Sequence, residues 1–346
     1  MSDEPLGNSG RPENLQGPAS ENLLIKLHHA GKQLVDGNMA EAELAYEIVL
    51  EQEPDNKFAN QLLGGIALQK GDFVRAHKFM SKALAVDPSN EELNSNLGIV
   101  LIKLQRLDEA IQHFEQALAV QPGYAAAHNA LGTALREQGN AEKALIHHIQ
   151  ALAAQPNDHR MRNNYANSLK ELGRSDEAIE QYFTVLESAY DDSDTHYNLG
   201  VLFEFLEQLD RACDHYEKAL KTDPNHPEIN FNLGNVLQSL GQLESAIEKY
   251  KKVIEVMPDH DKAHVNLGHA LLKSDDKRGA EYHWRRTLVI NNEFADAHVN
   301  LALLSFEQGN ISEGWDGFEW RNKAENYESP HRHFPQLNWD GSPLKG

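Results

Sequence analysis

"AHVNLGHALL", residues 263–272, decides the fold, because thirty-four residues later the chain reads "AHVNLALLSF", residues 297–306. Both copies hold an asparagine, Asn266 and then Asn300, inside an apolar run with helical spacing. Asparagine is a poor interior helix residue, since its amide competes for nearby backbone groups. Its return at a fixed interval points to a repeated structural unit.

The interval holds along most of the chain. Stepping by 34 from Ala42 gives Ala76, Ala110, Ala144, Ala178, Ala212, Ala246 and Ala280, then Gly314. Twelve residues upstream of each runs a second small series: Ala30, Gly64, Gly98, Gly132, Ala166, Gly200, Gly234, Gly268 and Ala302. A third series is large and mostly aromatic: Tyr46, Met80, Phe114, His148, Tyr182, Tyr216, Tyr250, Trp284 and Phe318. Prolines close most repeats, at Pro54, Pro88, Pro122, Pro156, Pro224 and Pro258.

Each repeat therefore reads as two amphipathic helices of about a dozen residues joined by a short turn. The turn is often marked by glycine: Gly37, Gly71, Gly139, Gly173, Gly241 and Gly309. The two small residues let the helix backbones approach, and the bulky residue is expected to fill space between repeats. Proline ends the second helix because it has no N–H to donate. One pair cannot bury its apolar face alone, so neighbours must stack.

The period, "NLG" in the first helix and "A…Y/F…A…P" in the second resemble the tetratricopeptide repeat (TPR) family, over nine repeats spanning about residues 21–325. The resemblance implies an all-α, right-handed TPR superhelical solenoid whose first helices line a concave groove. It also implies a role in binding other proteins, often as extended peptides. The end repeats depart from the pattern: His29 stands in the first where leucine is usual, and Gly314 and Arg321 replace alanines in the ninth.

Numbering each repeat from residues 23, 57, 91 and so on, asparagine fills position six at Asn96, Asn164, Asn198, Asn232, Asn266 and Asn300. Ala130 and Leu62 interrupt the set. Position six shares a helix face with positions two, five, nine and thirteen. An amide offers two donors and an acceptor, so a row of them can pair with a passing backbone without reading its side chains. This resembles the asparagine ladder in the TPR arm of O-linked N-acetylglucosamine transferases. An asparagine there can equally bond the adjacent repeat. Asn163, Asn167, Tyr197, Phe231 and Asn235 add amides and aromatics to the same face, as a binding surface would.

Other features carry less chemistry. His128, His196, His264 and His298 fall at position four, where the family often has tryptophan, and read as rings packed between repeats. Neighbours such as His147 and His148 lie about 100° apart on a helix, poor for chelation. His331 and His333 alone make a weak site. No metal and no cofactor is expected, and no nucleotide loop, nucleophile elbow or metalloprotease motif is present. The family's carboxylate clamp is incomplete: Lys262 stands with Asn266, but Phe231 takes the corresponding lysine position one repeat earlier.

Residues 1–20 are rich in Gly, Pro, Ser, Asn and Glu and read as a disordered tail without the features of a secretory signal. Residues 326–346 read as an irregular connector bearing Trp339. The segment "GW…FEWR…P…WDG.PL.G" resembles the connector of bacterial proteins that join a TPR array to a glycosyltransferase-like domain; a cap folded over the array is the alternative. Thirty-two Lys and Arg oppose 53 Asp and Glu, and the net charge of −21 disfavours nucleic acid. The lone Cys213 forms no internal disulfide, and no apolar run reaches the roughly 20 residues that span a bilayer.

These features together predict a cytoplasmic protein-binding module with no membrane partner, the substrate-recruiting arm of a bacterial protein glycosyltransferase or, alternatively, a stand-alone scaffold. No catalytic residue is assigned within the chain. The sequence does not give the partner or the oligomeric state.

Overall fold

The computed structural model describes residues 38–324. The expected tail, the first helix of the first repeat and the connector with Trp339, His331 and His333 lie outside them. Among the described residues are seventeen α-helices, a short 3-10 turn at Glu319–Asn322 and no strand. Chain contacts divide the protein into two compact units, Met1–Val185 and Leu186–Gly346.

The first unit holds α1 (Met39–Gln52), α2 (Lys57–Gln69), α3 (Phe73–Val86), α4 (Glu91–Lys103), α5 (Leu107–Val120), α6 (Ala125–Glu137), α7 (Ala141–Ala154) and α8 (His159–Glu171). Helix α9 (Ser175–Ser188) follows. The second unit holds α10 (Ser193–Phe205), α11 (Leu209–Ala219), α12 (Pro227–Ser239), α13 (Leu243–Val256), α14 (Asp261–Lys273), α15 (Lys277–Ile290), α16 (Ala295–Glu307) and α17 (Ile311–Phe318). Within each unit a first helix packs on its own second helix, which packs on the next first helix.

The boundaries follow local chemistry. Asn56, Asp72, Asn90, Asp158 and Asp192 cap their helices by accepting from the third backbone N–H. His260 does the same through Nδ1, 3.0 Å from the Ala263 N–H. The second helices α1, α3, α5, α7 and α13 stop two residues before a proline, as the sequence predicts. Gly71, Gly139, Gly173, Gly241 and Gly309 take φ of 72–84° in the turns. Gln105, Glu207 and Asp275 occupy the same turn position with φ of 58–66°, at a cost that glycine avoids.

The alanines Ala42 to Ala280 of the 34-residue series are fully buried. The large residues have a second task besides the one expected. They press against the first helix of their own repeat and also reach the next one, where His148 Nδ1 lies 2.7 Å from Ser168 Oγ and Met80 and Phe114 share a core with Leu93, Leu97 and Leu131. A Cβ on Gly98 would stand 2.5 Å from the Phe114 ring, and one on Gly200 or Gly234 would stand 2.6 Å from Tyr216 or Tyr250. The first helix gives up its side chain so that a ring can lie against its backbone. Gly314 has a matching reason: the Phe306 ring covers it and leaves no room for the usual alanine methyl.

Candidate functional site

Position four of each first helix has a structural task. Its side chain bonds the carbonyl six residues earlier, in the turn from the preceding repeat. Asn60 and Asn94 donate to Pro54 and Pro88 at 3.0 and 2.9 Å. Arg162 donates to Pro156 at 2.8 Å, and Asn230 to Pro224 at 3.0 Å. His128, His196, His264 and His298 point Nε2 at the carbonyls of Pro122, Tyr190, Pro258 and Asn292, at 2.8–3.1 Å. The histidines are thus hydrogen-bonding groups and not only packed rings. His298 also stacks on Trp320, with centroids 4.2 Å apart. A proline can still accept at its carbonyl, so any donor of suitable length serves at position four.

Position six points to a different face, and there four of the six asparagines reach back to the preceding repeat. In the first unit Asn164 donates to Asn129 Oδ1 at 2.9 Å. In the second, Asn232 Nδ2 is 3.4 Å from the Tyr197 hydroxyl, and Asn266 donates to Asn235 Oδ1 at 2.9 Å. Asn300 Nδ2 lies 2.6 Å from His269 Nε2. Burial keeps His269 neutral to lower pH, so Nε2 accepts. None of these bonds exhausts an amide, which has a second N–H and a carbonyl with two lone pairs.

Three tyrosines of the large series also reach this face. Tyr182 donates to Asn167 at 2.7 Å, Tyr250 to Asn235 at 2.9 Å and Tyr216 to Glu204 at 2.7 Å. Tyr197 donates to Glu228 at 2.7 Å. Burial, and then the neighbouring carboxylate, push the Tyr197 and Tyr216 hydroxyls far above the usual phenol range, so both stay donors. Sequence reading missed Glu204, Glu228, His269 and Asn129 as partners. It also read the tyrosines as packing alone, because the pattern shows ring size and not where a hydroxyl ends.

Of the expected residues, Tyr197 with Asn232, and Asn235 with Asn266, are brought into direct contact. Phe231 lies against Tyr250 and His260 instead, with centroids 6.1 and 5.0 Å apart. Asn163 is buried, while Asn164 and Asn167 on the same helix and Asn198 on α10 are half-buried. Asn96 lines a cleft of about 480 Å³ with Gln61, Leu62, Gly65, Gln69 and Glu92. These are the face positions of α2 and α4, made more apolar by Leu62 and Gly65. Among the described residues no three His, Cys, Asp or Glu side chains converge as a metal site would need. None of the described helices is long and apolar enough to cross a membrane.

Family models described as tetratricopeptide repeat match residues 90–157, 193–226 and 215–248, and a further one matches 33–91 and 147–194. A TPR repeat model matches residues 235–275. No curated protein matches the sequence. Among solved structures, pilF of Pseudomonas aeruginosa is 19% identical with a TM-score of 0.54, covering 61% of this chain and 96% of that one. PilW, titled a widely conserved type IV pilus biogenesis factor, is 22% identical at 0.54, covering 63% and 99%. The human IFIT1 dimer with m7Gppp-AAAA is 15% identical at 0.54, covering 87% and 76%. At such identities the likeness shows the fold alone. With TPR models matching in succession from residue 33 to residue 275, on helix pairs repeating every 34 residues, the chain belongs to the tetratricopeptide repeat family.

Proposed function

We propose that this chain is a protein-interaction module that holds an extended polypeptide against the amide-bearing face of its first helices. The observation that carries this reading is the recurrence of a position-six amide anchored by one N–H to the repeat before it. Such an anchor fixes the amide plane in advance, which reduces the side-chain ordering that binding must offset. The remaining N–H and carbonyl match the donor and acceptor of a peptide group. A guest held this way is recognised mainly through its backbone, with Phe231 and Tyr197 adding aromatic contact.

Within that reading, the chain serves as the recruiting arm of a bacterial protein glycosyltransferase. The support is the resemblance of residues 314–346 to the connector of such proteins. A stand-alone scaffold with no associated enzyme is the other reading.

The test replaces Asn198, Asn232 and Asn266 together by alanine and measures affinity for partners captured from the source cell. A loss of at least tenfold, with helix content unchanged by circular dichroism, is expected. Unchanged affinity would sink the amide reading. Sugar-nucleotide turnover by the longest natural form, with residues 1–346 as the inert control, separates the transferase from the scaffold.

A further inference from the structure

In three repeats the position-four histidine has a second contact, with a histidine nineteen residues on in the second helix. His128 Nδ1 lies 3.0 Å from His147 Nδ1, His196 Nδ1 lies 2.9 Å from His215 Nδ1, and His264 Nδ1 lies 2.9 Å from His283 Nδ1. The ring centroids are 5.3, 5.1 and 5.1 Å apart. These pairs occupy repeats four, six and eight.

The protons can be placed by chemistry. The first ring's Nε2 faces a carbonyl, which only accepts, so Nε2 carries hydrogen. In the neutral ring Nδ1 is then a bare lone pair. The second ring must supply the hydrogen of the Nδ1–Nδ1 bond, and its own Nε2 is left basic. One added proton goes to that Nε2 and leaves the bond standing. A second, on the first ring's Nδ1, puts two N–H groups head to head and one cation against another.

We propose that these three histidine pairs are acid-sensitive clips, in which protonation of both rings releases the turn before a repeat from that repeat's second helix. The protein contains its own controls. In repeat three the clip is Asn94, donating to Pro88 and facing His113 Nδ1 through Oδ1 at 2.9 Å. An amide oxygen accepts from that ring whether it is neutral or charged. In repeat five the clip is Arg162, donating to Pro156 and, at 2.7 Å, to Gln181. Neither depends on a lone pair that acid removes; burial lowers His113 too, so repeat three differs from the clips in its hydrogen bond and not in its burial.

Burial opposes charge on every one of these rings for which a shift is resolved. His196, His215 and His264 are 3–6% exposed. Burial, then the partner histidine, lowers His147, and brings His215 and His283 to about 4. Around His196 and His215, Lys218 and Arg211 oppose protonation and Asp214 and Asp191 favour it. Around His264 and His283, Arg286, His260 and Lys251 oppose it and Asp259 and Asp276 favour it. The folded values of His147, His196, His215, His264 and His283 lie below the unfolded value of about 6.5, so what these rings contribute is fully present above it. Their contribution is lost as pH falls from there toward about 4.

The test is urea denaturation of the whole chain at about pH 7.5 and about pH 5. The variant is His128→Asn/His196→Asn/His264→Asn, which copies repeat three. The wild-type midpoint should fall on acidification, and at least half of that fall should be absent in the variant. Equal falls would overturn the proposal. Should the variant not fold at neutral pH, His147→Gln/His215→Gln/His283→Gln, copying Gln181, makes the same comparison. Histidine nitrogen NMR on the wild type reads the rings directly. Nε2–H tautomers at 128, 196 and 264 with Nδ1–H tautomers at 147, 215 and 283 are expected; rings titrating near 6.5 as exchanging tautomers would overturn the clips.

Discussion

Two surfaces of the first helices carry the same 34-residue rhythm and behave differently. On the seam toward the second helix, each glycine of the small series from Gly64 to Gly268 leaves no room for a methyl. On the amide face, Asn164, Asn232, Asn266 and Asn300 find four different partners: an amide, a phenol, another amide and an imidazole. The seam is fixed by volume, where a few tenths of an ångström decide. The amide face is fixed by direction alone, since the side chain needs only some acceptor on the neighbouring repeat. Repetition in sequence thus arises from two causes, and substitution separates them.

The largest effect belongs to the seam. Gly200→Ala drives a methyl into the Tyr216 ring and should lower unfolding free energy by about 2–3 kcal/mol. Chemical denaturation measures it, and a change smaller than the error would mean the seam has slack. On the amide face, the triple asparagine variant should lose about 1.4 kcal/mol of partner binding, the energy of the tenfold change above. Gly65 sits on that face with open space around its α-carbon. Gly65→Ala should therefore raise stability by about 0.5–1 kcal/mol, opposite in sign to Gly200→Ala on the seam. The smallest effect concerns the turns between them. Gln105→Gly and Glu207→Gly relieve a left-handed backbone but add freedom to the unfolded chain, for a net gain of roughly 0.5 kcal/mol each.

Much of the fold was legible because steric demands write themselves as residue size. The alanine and glycine series predicted close helix contact, and the prolines predicted helix ends. That each large residue also lies on the first helix of its own repeat was not legible, since size does not say which neighbour a ring meets. The histidines at position four read as packing because their value lies in a carbonyl six residues back. That carbonyl belongs to whatever residue stands there, proline, tyrosine or asparagine alike, so the sequence carries no mark of it. The clips were hidden for a related reason: His128 and His147 meet only once the two helices of a repeat are laid side by side.

The sequence by itself determined the repeat, its helix pairs, its small and large packing positions and the row of asparagines, because each follows from periodicity and side-chain volume along one chain. Only the tertiary structure decided what the polar groups do. Asn266 reaches Asn235, Tyr250 reaches past its own packing position to the same amide, and His264 joins a turn to a second helix. Hydrogen bonds depend on direction over about 3 Å. Direction between residues thirty apart is set only when the helices have stacked.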